Sequence, residues 1–134
     1  MKPSSPAQRE RARRLLDHEA GNRGAPARAS AAHGVYQKLH DHLAPLIGTD
    51  GIEALLVRSA KLTQAQFPFV EASAGRSASA LRECLQQQRP AVAAEAAAEL
   101  FGTFFMLITT FIGERLTTQA LHGAWPTLEA GTRK

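Results

Sequence analysis

The chain has 134 residues, of which 44% are hydrophobic, and a formal net charge of +4. This length allows one domain with a modest core, and a single cysteine, Cys84, excludes a disulfide framework. Alanine is frequent, Val, Ile, Thr and Tyr are sparse, and no segment shows sustained alternation of apolar and polar residues. This composition favours helices over sheets. The sequence therefore predicts an all-α protein, and a reducing cytoplasm is the simplest location for it.

The excess positive charge lies near the N-terminus. Residues 1–30 carry seven basic and three acidic side chains, whereas the rest of the chain carries nine of each. Basic clusters of this kind bind nucleic acid or anionic surfaces, and the candidate anion-binding residues are Arg9, Arg11, Arg13 and Arg14. No aromatic residue lies between them, so stacking on bases is not indicated. The alternative interpretation is a solvated basic tail.

Residues 1–30 are expected to form a loosely attached, partly disordered N-terminal arm. Ser5 and Pro6 predict the start of a helix over about residues 6–20 that ends at Gly21. The apolar residues of this helix are few, and a helix this short is marginal in water on its own. The next residues, to Pro26, have the composition of a linker.

A single helical domain is expected over residues 31–126, followed by a tail over 127–134. Its shorter helices are predicted over about residues 30–43, 51–64 and 78–88. Pro45 is expected to end or bend the first of these. Asp50 and Glu53 resemble a capping box at the start of the second. Residues 72–77 have the composition of a loop.

The chain is organised around a long apolar segment between Glu99 and Glu114, which holds four of the six phenylalanines. Placed on a helix, its bulky side chains cover one half of the surface and its small side chains the other. The 14 residues between these glutamates are too few for a membrane span of ~20 residues, so a buried core helix is expected and membrane association is not. This helical region begins at Pro90 and is expected to kink at Gly113.

The apolar faces of the predicted helices together specify a core. Four main helices, arranged as an orthogonal or up-down bundle from about residue 31, are expected to bury it. The predicted core residues are Tyr36, Leu39, Leu43, Ile47, Ile52, Leu55, Leu56, Leu62, Phe67, Leu81, Leu85, Leu100, Phe104, Leu107, Ile108, Phe111 and Leu116.

The small side of the long helix is the candidate interface. It consists of Gly102, Met106, Thr109 and Gly113, residues that let a second backbone approach closely or fill irregular gaps. The bulky side is needed by the other helices, which offer few apolar faces to cover the small side as well. A two-fold homodimer, in which the same patch meets itself, is therefore predicted.

Two histidines are candidates for phosphotransfer or metal binding. His33 and His40 lie on one face of a predicted helix but are seven residues apart, which is too far for one ion without further ligands. No Glu-x-x-His pair, typical of metal sites in bundles, occurs in the chain. Ala32-His33-Gly34 invites comparison with histidine phosphotransfer domains, although the Lys and Gly that follow the histidine in those domains are not at the corresponding positions.

The sequence lacks the common motifs that indicate catalysis or cofactor binding. Phosphate-binding glycine loops, nucleophile elbows and Cys-x-x-Cys pairs are not found. No catalytic residue, cofactor or metal is therefore predicted. Cys84, on an apolar helix face, is interpreted as a small core residue.

Four segments of the chain resemble a set of small uncharacterised bacterial helical proteins. They are Leu43-Ala44-Pro45-Leu46-Ile47-Gly48, Phe67-Pro68, Thr110-Phe111-Ile112-Gly113-Glu114-Arg115-Leu116-Thr117 and Trp125-Pro126. The resemblance spans about residues 33–126 and implies one domain there, without a function. The functional prediction is a non-enzymatic regulatory or adaptor protein that contacts a protein partner through helices. The alternative is a phosphotransfer or metal-binding bundle that uses His33 or His40.

Overall fold

The computed structural model describes residues 6–21 and 25–125. The helices are α1 (Pro6–Ala20), α2 (Ala25–Ile47), α3 (Thr49–Thr63), a 3₁₀ helix (Ala72–Gly75), α4 (Ala78–Gln86), α5 (Pro90–Ile112) and α6 (Glu114–Ala124). Within the described residues no strand occurs. The prediction of an all-α protein is therefore confirmed. The predicted tail over 127–134 and residues 22–24 of the predicted linker lie outside the described residues, whereas Ala25 and Pro26, also assigned to the linker, belong to α2.

The core is built around α5, which contacts each of the other five α-helices. Its first half is rich in alanine, and Ala93, Ala94, Ala96, Ala97 and Ala98 are buried. Its middle carries Phe101, Phe104 and Phe105, all fully buried. Both the bulky and the small sides of this helix are covered over most of its length, so α5 is the central helix of the fold.

The helix boundaries differ from the predicted ones where local signals compete. Helix α2 continues through Pro45 to Ile47, since a proline near the last turn removes few helical hydrogen bonds. Helix α3 begins after Gly48, which has no side chain to cap the helix, and Asp50 lies inside the first turn. The predicted capping box of Asp50 and Glu53 is therefore wrong. The segment expected to be a loop contains the 3₁₀ helix.

The predicted kink at Gly113 is a complete break between α5 and α6. Gly113 adopts φ +97° and ψ 158°, a conformation that residues with a Cβ rarely take. Its N–H donates to the carbonyl of Thr109 at 2.8 Å, and its carbonyl accepts from the N–H of Thr117 at 3.2 Å. One glycine thus ends α5, starts α6 and turns the chain.

Most of the predicted core is buried. The buried members are Tyr36, Leu39, Leu43, Ile52, Leu56, Leu81, Leu85, Leu100, Phe104 and Ile108. The half-buried members are Ile47, Leu55, Leu62, Phe67 and Leu107. The assignments of Phe111 and Leu116 to the core are wrong, since these side chains are 66% and 39% exposed. Both flank the break at Gly113.

The expectation of a loosely attached N-terminal helix is also wrong. Helix α1 packs against α5 and α2, and Ala12, Leu15, Leu16 and Ala20 are buried. Its bounds agree with those predicted from Pro6 and Gly21, but its docking was not foreseen. The interactions that hold it are described below.

One described helix, α5, is long and apolar enough to cross a bilayer. Of its most apolar 18-residue window, 72% is buried inside the fold. A buried core helix meets the same criterion.

Candidate functional site

The predicted anion-binding residue Arg9 contacts a buried carboxylate of the same chain. Its Nε and Nη2 atoms lie 2.8 and 2.7 Å from Oε1 of Glu99. The Glu99 side chain is 1% exposed, whereas Arg9 is 35% exposed. The hydroxyl of Thr103 donates to the other oxygen of Glu99 at 3.5 Å. Because a buried charge is costly unless it is paired, this ion pair positions α1 on α5.

Two further ion pairs attach α1 to its neighbours. Arg13 Nη2 lies 3.0 Å from Oε1 of Glu95 on α5, and this hydrogen bond raises the pKa of Arg13. Arg11 Nη2 lies 3.3 Å from Oε2 of Glu114 on α6. Exposed pairs of this kind contribute only ~0.2–1 kcal/mol each.

Three of the four predicted anion-binding arginines, Arg9, Arg11 and Arg13, are thus paired with carboxylates of their own chain, while the side chain of Arg14 is exposed. Their positive charge is compensated in this conformation. Binding of nucleic acid or an anionic surface stays a prediction.

Helix α1 covers only part of the interface that the sequence predicts. A Cβ at Gly102 would lie 3.0 Å from Cα and 3.1 Å from N of Arg9, so the backbone of α1 rests directly on this glycine. Met106 and Thr109 are half-buried, and Gly113 is exposed. At Gly102 the small side is therefore covered by a helix of the same chain, which is the alternative to cover by a second copy. The ion pairs between α1 and α5, which the apolar pattern of the sequence does not reveal, contribute to this contact.

Glu19 joins the end of α1 to two other parts of the chain. Its Oε1 accepts hydrogen bonds from Lys38 Nζ and Trp125 Nε1, both at 3.0 Å. Lys38 Nζ also lies 5.6 Å from the centroid of the Trp125 ring. Burial by itself raises the pKa of Glu19, but the hydrogen bonds from Trp125 and Lys38 outweigh it, so that the pKa is lower than usual.

The sequence analysis did not identify this junction. Glu19 and Trp125 are 106 positions apart, and neither belongs to a motif. The one sequence signal was the single tryptophan itself, because a buried Trp N–H requires an acceptor.

The 3₁₀ helix is held between α2 and α3. The hydroxyl of Tyr36 donates to the carbonyl of Gly75 at 2.8 Å. Burial raises the pKa of Tyr36 to about 12, and the charge of Glu53 adds to this effect. A Cβ at Gly75 would overlap the backbone carbonyl of Leu56. Only glycine allows the 3₁₀ helix to approach α3 this closely.

The two candidate histidines have different surroundings. His33 lines a cleft of about 630 Å³ between α1, α2 and α4, together with Arg82. The ring of His40 stacks on Tyr36 with centroids 6.5 Å apart, and its Nε2 lies 3.8 Å from Oε2 of Glu53. In the part of the chain that the structure describes, no group of three or more His, Cys, Asp or Glu side chains is arranged to hold a metal ion.

Cys84 is half-buried and packs against the core. Its thiol donates to the carbonyl of Phe69 at 3.4 Å. Burial raises the pKa of Cys84, which disfavours the reactive thiolate. This environment agrees with its interpretation as a small packing residue.

Two exposed apolar side chains, Phe111 and Leu116, flank the break between α5 and α6. Together with Gly113 they are here called the α5–α6 corner. Gly113 and the charged residues Glu114 and Arg115 are exposed as well.

The geometry therefore provides a charged contact between α1 and α5, a polar junction at Glu19 and an apolar α5–α6 corner. The first two hold helices of this chain together, and the third is exposed to solvent. No protein-family model, curated protein or solved structure matches the chain.

Proposed function

We propose that the protein is a small, non-enzymatic helical adaptor that acts through helix–helix contacts at the α5–α6 corner. The exposure of Phe111 carries this proposal. Its side chain is 66% exposed, although three other phenylalanines of the same helix are fully buried. Burying a phenylalanine side chain contributes roughly 1.5–3 kcal/mol, so an exposed one at the end of a core helix favours association.

The occupant that we propose for the corner is the same corner of a second copy, in a two-fold homodimer. Two-fold contacts bring identical patches together, and Phe111 and Leu116 would then be buried against themselves. This interface includes Gly113, the exposed end of the interface that the sequence predicts.

We further propose that α2, α3, α4 and α5 form the four-helix unit that carries the corner. Helix α2 contacts the other three members, and α5 contacts all of them as well. A cytoplasmic location is part of the same proposal, since the one thiol is half-buried and needs no disulfide partner.

Sedimentation velocity tests the proposed contact. The wild-type chain at high micromolar concentration should sediment as a dimer, and Phe111→Ser should sediment as a monomer with unchanged far-UV circular dichroism. Val92→Ser is the matched control, because Val92 is also an exposed apolar residue of α5 but lies near its other end. A wild-type monomer at this concentration, or equal effects of the two substitutions, would contradict the proposal.

Phosphotransfer through His33 is the second candidate function, because His33 and Arg82 line the same cleft. Guanidinium groups bind phosphoryl oxygens well. In such a reaction a ring nitrogen of His33 attacks the phosphorus of an acyl phosphate, and the carboxylate leaves with the electrons of the broken P–O bond. Incubation with radiolabelled acetyl phosphate should label the wild type but not His33→Gln. His42→Gln, at an exposed histidine, should still be labelled, whereas an unlabelled wild type excludes this candidate.

A further inference from the structure

We propose that α1 is a displaceable cover over a face of α5 that binds an arginine-bearing helix of a partner protein. This Glu99 face is defined by Glu95, Glu99, Gly102 and Thr103. It is a different surface from the α5–α6 corner, and the proposal does not depend on the homodimer.

The first argument is the nature of the contact between α1 and α5. The buried residues of α1 are two alanines and two leucines, and Leu15 and Leu16 are fully buried in the core. The charged contacts of α1 with α5 run from Arg9 to Glu99 and from Arg13 to Glu95. Ion pairs respond to salt and to competing charges. A partner helix that supplies the same two cations and a similar apolar face therefore competes with α1 for this position.

The second argument is the carboxylate of Glu99. Its side chain is 1% exposed, at a position where an apolar residue would pack against α1 without a desolvation penalty. Replacing buried ion pairs by apolar residues is often neutral or stabilising, so stability alone does not account for this glutamate. A buried carboxylate instead selects which helix is accepted, because a helix without a matching cation would leave Glu99 unpaired.

The third argument is the spacing of the charges, which defines the chemistry of the partner. Arg9 and Arg13 are four residues apart, and so are Glu95 and Glu99. The earlier arginine contacts the later glutamate, so the bound helix runs antiparallel to α5. At Gly102 the bound helix comes within contact of the α5 backbone. The face therefore fits a helix with Arg at positions i and i+4 that approaches closely over Gly102.

Displacement of α1 has its own spectroscopic reporter. Trp125, the single tryptophan of the chain, donates its indole N–H to Glu19 at the end of α1. When α1 leaves, Trp125 loses this acceptor and gains contact with water. Its fluorescence emission should then move to longer wavelength.

The test uses a labelled synthetic peptide with the sequence of residues 6–20 and the full-length chain. In the variant Arg9→Glu/Arg13→Glu, the altered α1 is repelled by Glu99 and Glu95, so the face becomes available. The peptide should bind this variant roughly tenfold or more tightly than the wild type, whose own α1 competes. Because the peptide contains Glu19, its binding should also restore the wild-type emission of Trp125. Added salt should weaken the binding.

Two controls make the result specific. A peptide with Arg9→Gln and Arg13→Gln should not bind. Adding Gly102→Leu to the variant chain should abolish binding of the unaltered peptide, since a larger side chain at Gly102 meets the backbone of the bound helix.

Three outcomes would overturn the proposal. In the first, the variant chain shows the shifted emission of Trp125 but does not bind the peptide. In the second, the glutamine-substituted peptide binds equally well. In the third, the variant loses circular dichroism over more than one helix, which would make α1 a permanent part of the fold.

Discussion

Nε and Nη2 of Arg9 converge on one oxygen of Glu99, at 2.8 and 2.7 Å. These residues are 90 positions apart in the chain. The carboxylate lies inside the fold and the guanidinium at its edge, so the pair connects the N-terminal helix to the central one. The contact helps to hold α1 over Gly102 and neutralises one of the charges of the basic segment.

Breaking this pair from one side should destabilise the fold more than removing both charges. Arg9→Met leaves Glu99 buried without its guanidinium, which should lower the free energy of unfolding by about 3 kcal/mol, the lower end of the range for a buried pair because Arg9 is partly exposed. Arg9→Met/Glu99→Met should recover most of this loss, since two apolar side chains replace the two charges. Urea denaturation of the single and double variants measures the difference. If the double variant were as unstable as the single one, the contact would be held by packing and not by charge.

Truncating two phenylalanines of the same helix should have very different effects on the free energy of unfolding. Phe104 is fully buried and Phe111 is 66% exposed. Phe104→Ala should lower the free energy of unfolding by ~3–5 kcal/mol through the cavity it creates. Phe111→Ala should change it by less than ~0.5 kcal/mol. Thermal denaturation at low protein concentration, where the chain is monomeric, compares the stabilities of the two variants. An unchanged melting temperature for Phe104→Ala would show that Phe104 is wrongly assigned to the core.

A methyl group at Gly75 should separate the 3₁₀ helix from α3. The added Cβ meets the backbone carbonyl of Leu56, which cannot move without disturbing α3. We expect Gly75→Ala to lower the free energy of unfolding by ~1–3 kcal/mol, as overpacking does. Gly123→Ala is the matched control, because its Cβ would lie 3.6 Å from the nearest atom, in the ring of His42. Equal denaturation curves for Gly75→Ala and wild type would contradict the close approach.

The contribution of Glu19 to stability should depend on pH. Hydrogen bonds from Trp125 and Lys38 make its folded-state pKa lower than the ordinary value of 4.5. The carboxylate therefore stabilises the fold above that value, and this contribution is lost as the pH falls through the lowered folded-state pKa.

The free energies of unfolding of wild type and Glu19→Gln should therefore converge as the pH falls below about 4.5. Urea denaturation followed by the fluorescence of Trp125 at several pH values tests this expectation. Asp41→Asn, at an exposed carboxylate, is the control and should follow the wild type at each pH. A difference between wild type and Glu19→Gln that is constant from neutral pH into this acidic range would mean that the bond to Trp125 does not depend on the charge of Glu19.

The local features of the fold were predictable from the residues. The bounds of α1 follow from Pro6 and Gly21, and Gly113 marks the end of α5, where the sequence indicates a kink. The burial of Phe104 and Ile108 follows from the absence of charges around them. These features depend on neighbours within a few positions, so helix periodicity and the backbone preferences of proline and glycine are sufficient to predict them.

The contacts between helices were decided by the tertiary structure alone. An apolar pattern shows that a helix has a face to bury, but it does not show which other helix covers that face. The pattern was insufficient for α1, which docks through Arg9 and Arg13 as well as through its few apolar residues. It failed for Phe111, because the exposure of a side chain at a helix end depends on where the neighbouring helices stop.

The sequence by itself thus determined an all-α chain with a central apolar helix and a change of direction expected at Gly113, where the structure has a complete break. The tertiary structure decided that the basic N-terminal segment covers Gly102 and that Glu19 meets Trp125. The physical reason is distance along the chain. Local signals act within a few residues, whereas a buried ion pair or a shared hydrogen-bond acceptor exists only after distant helices have been brought together.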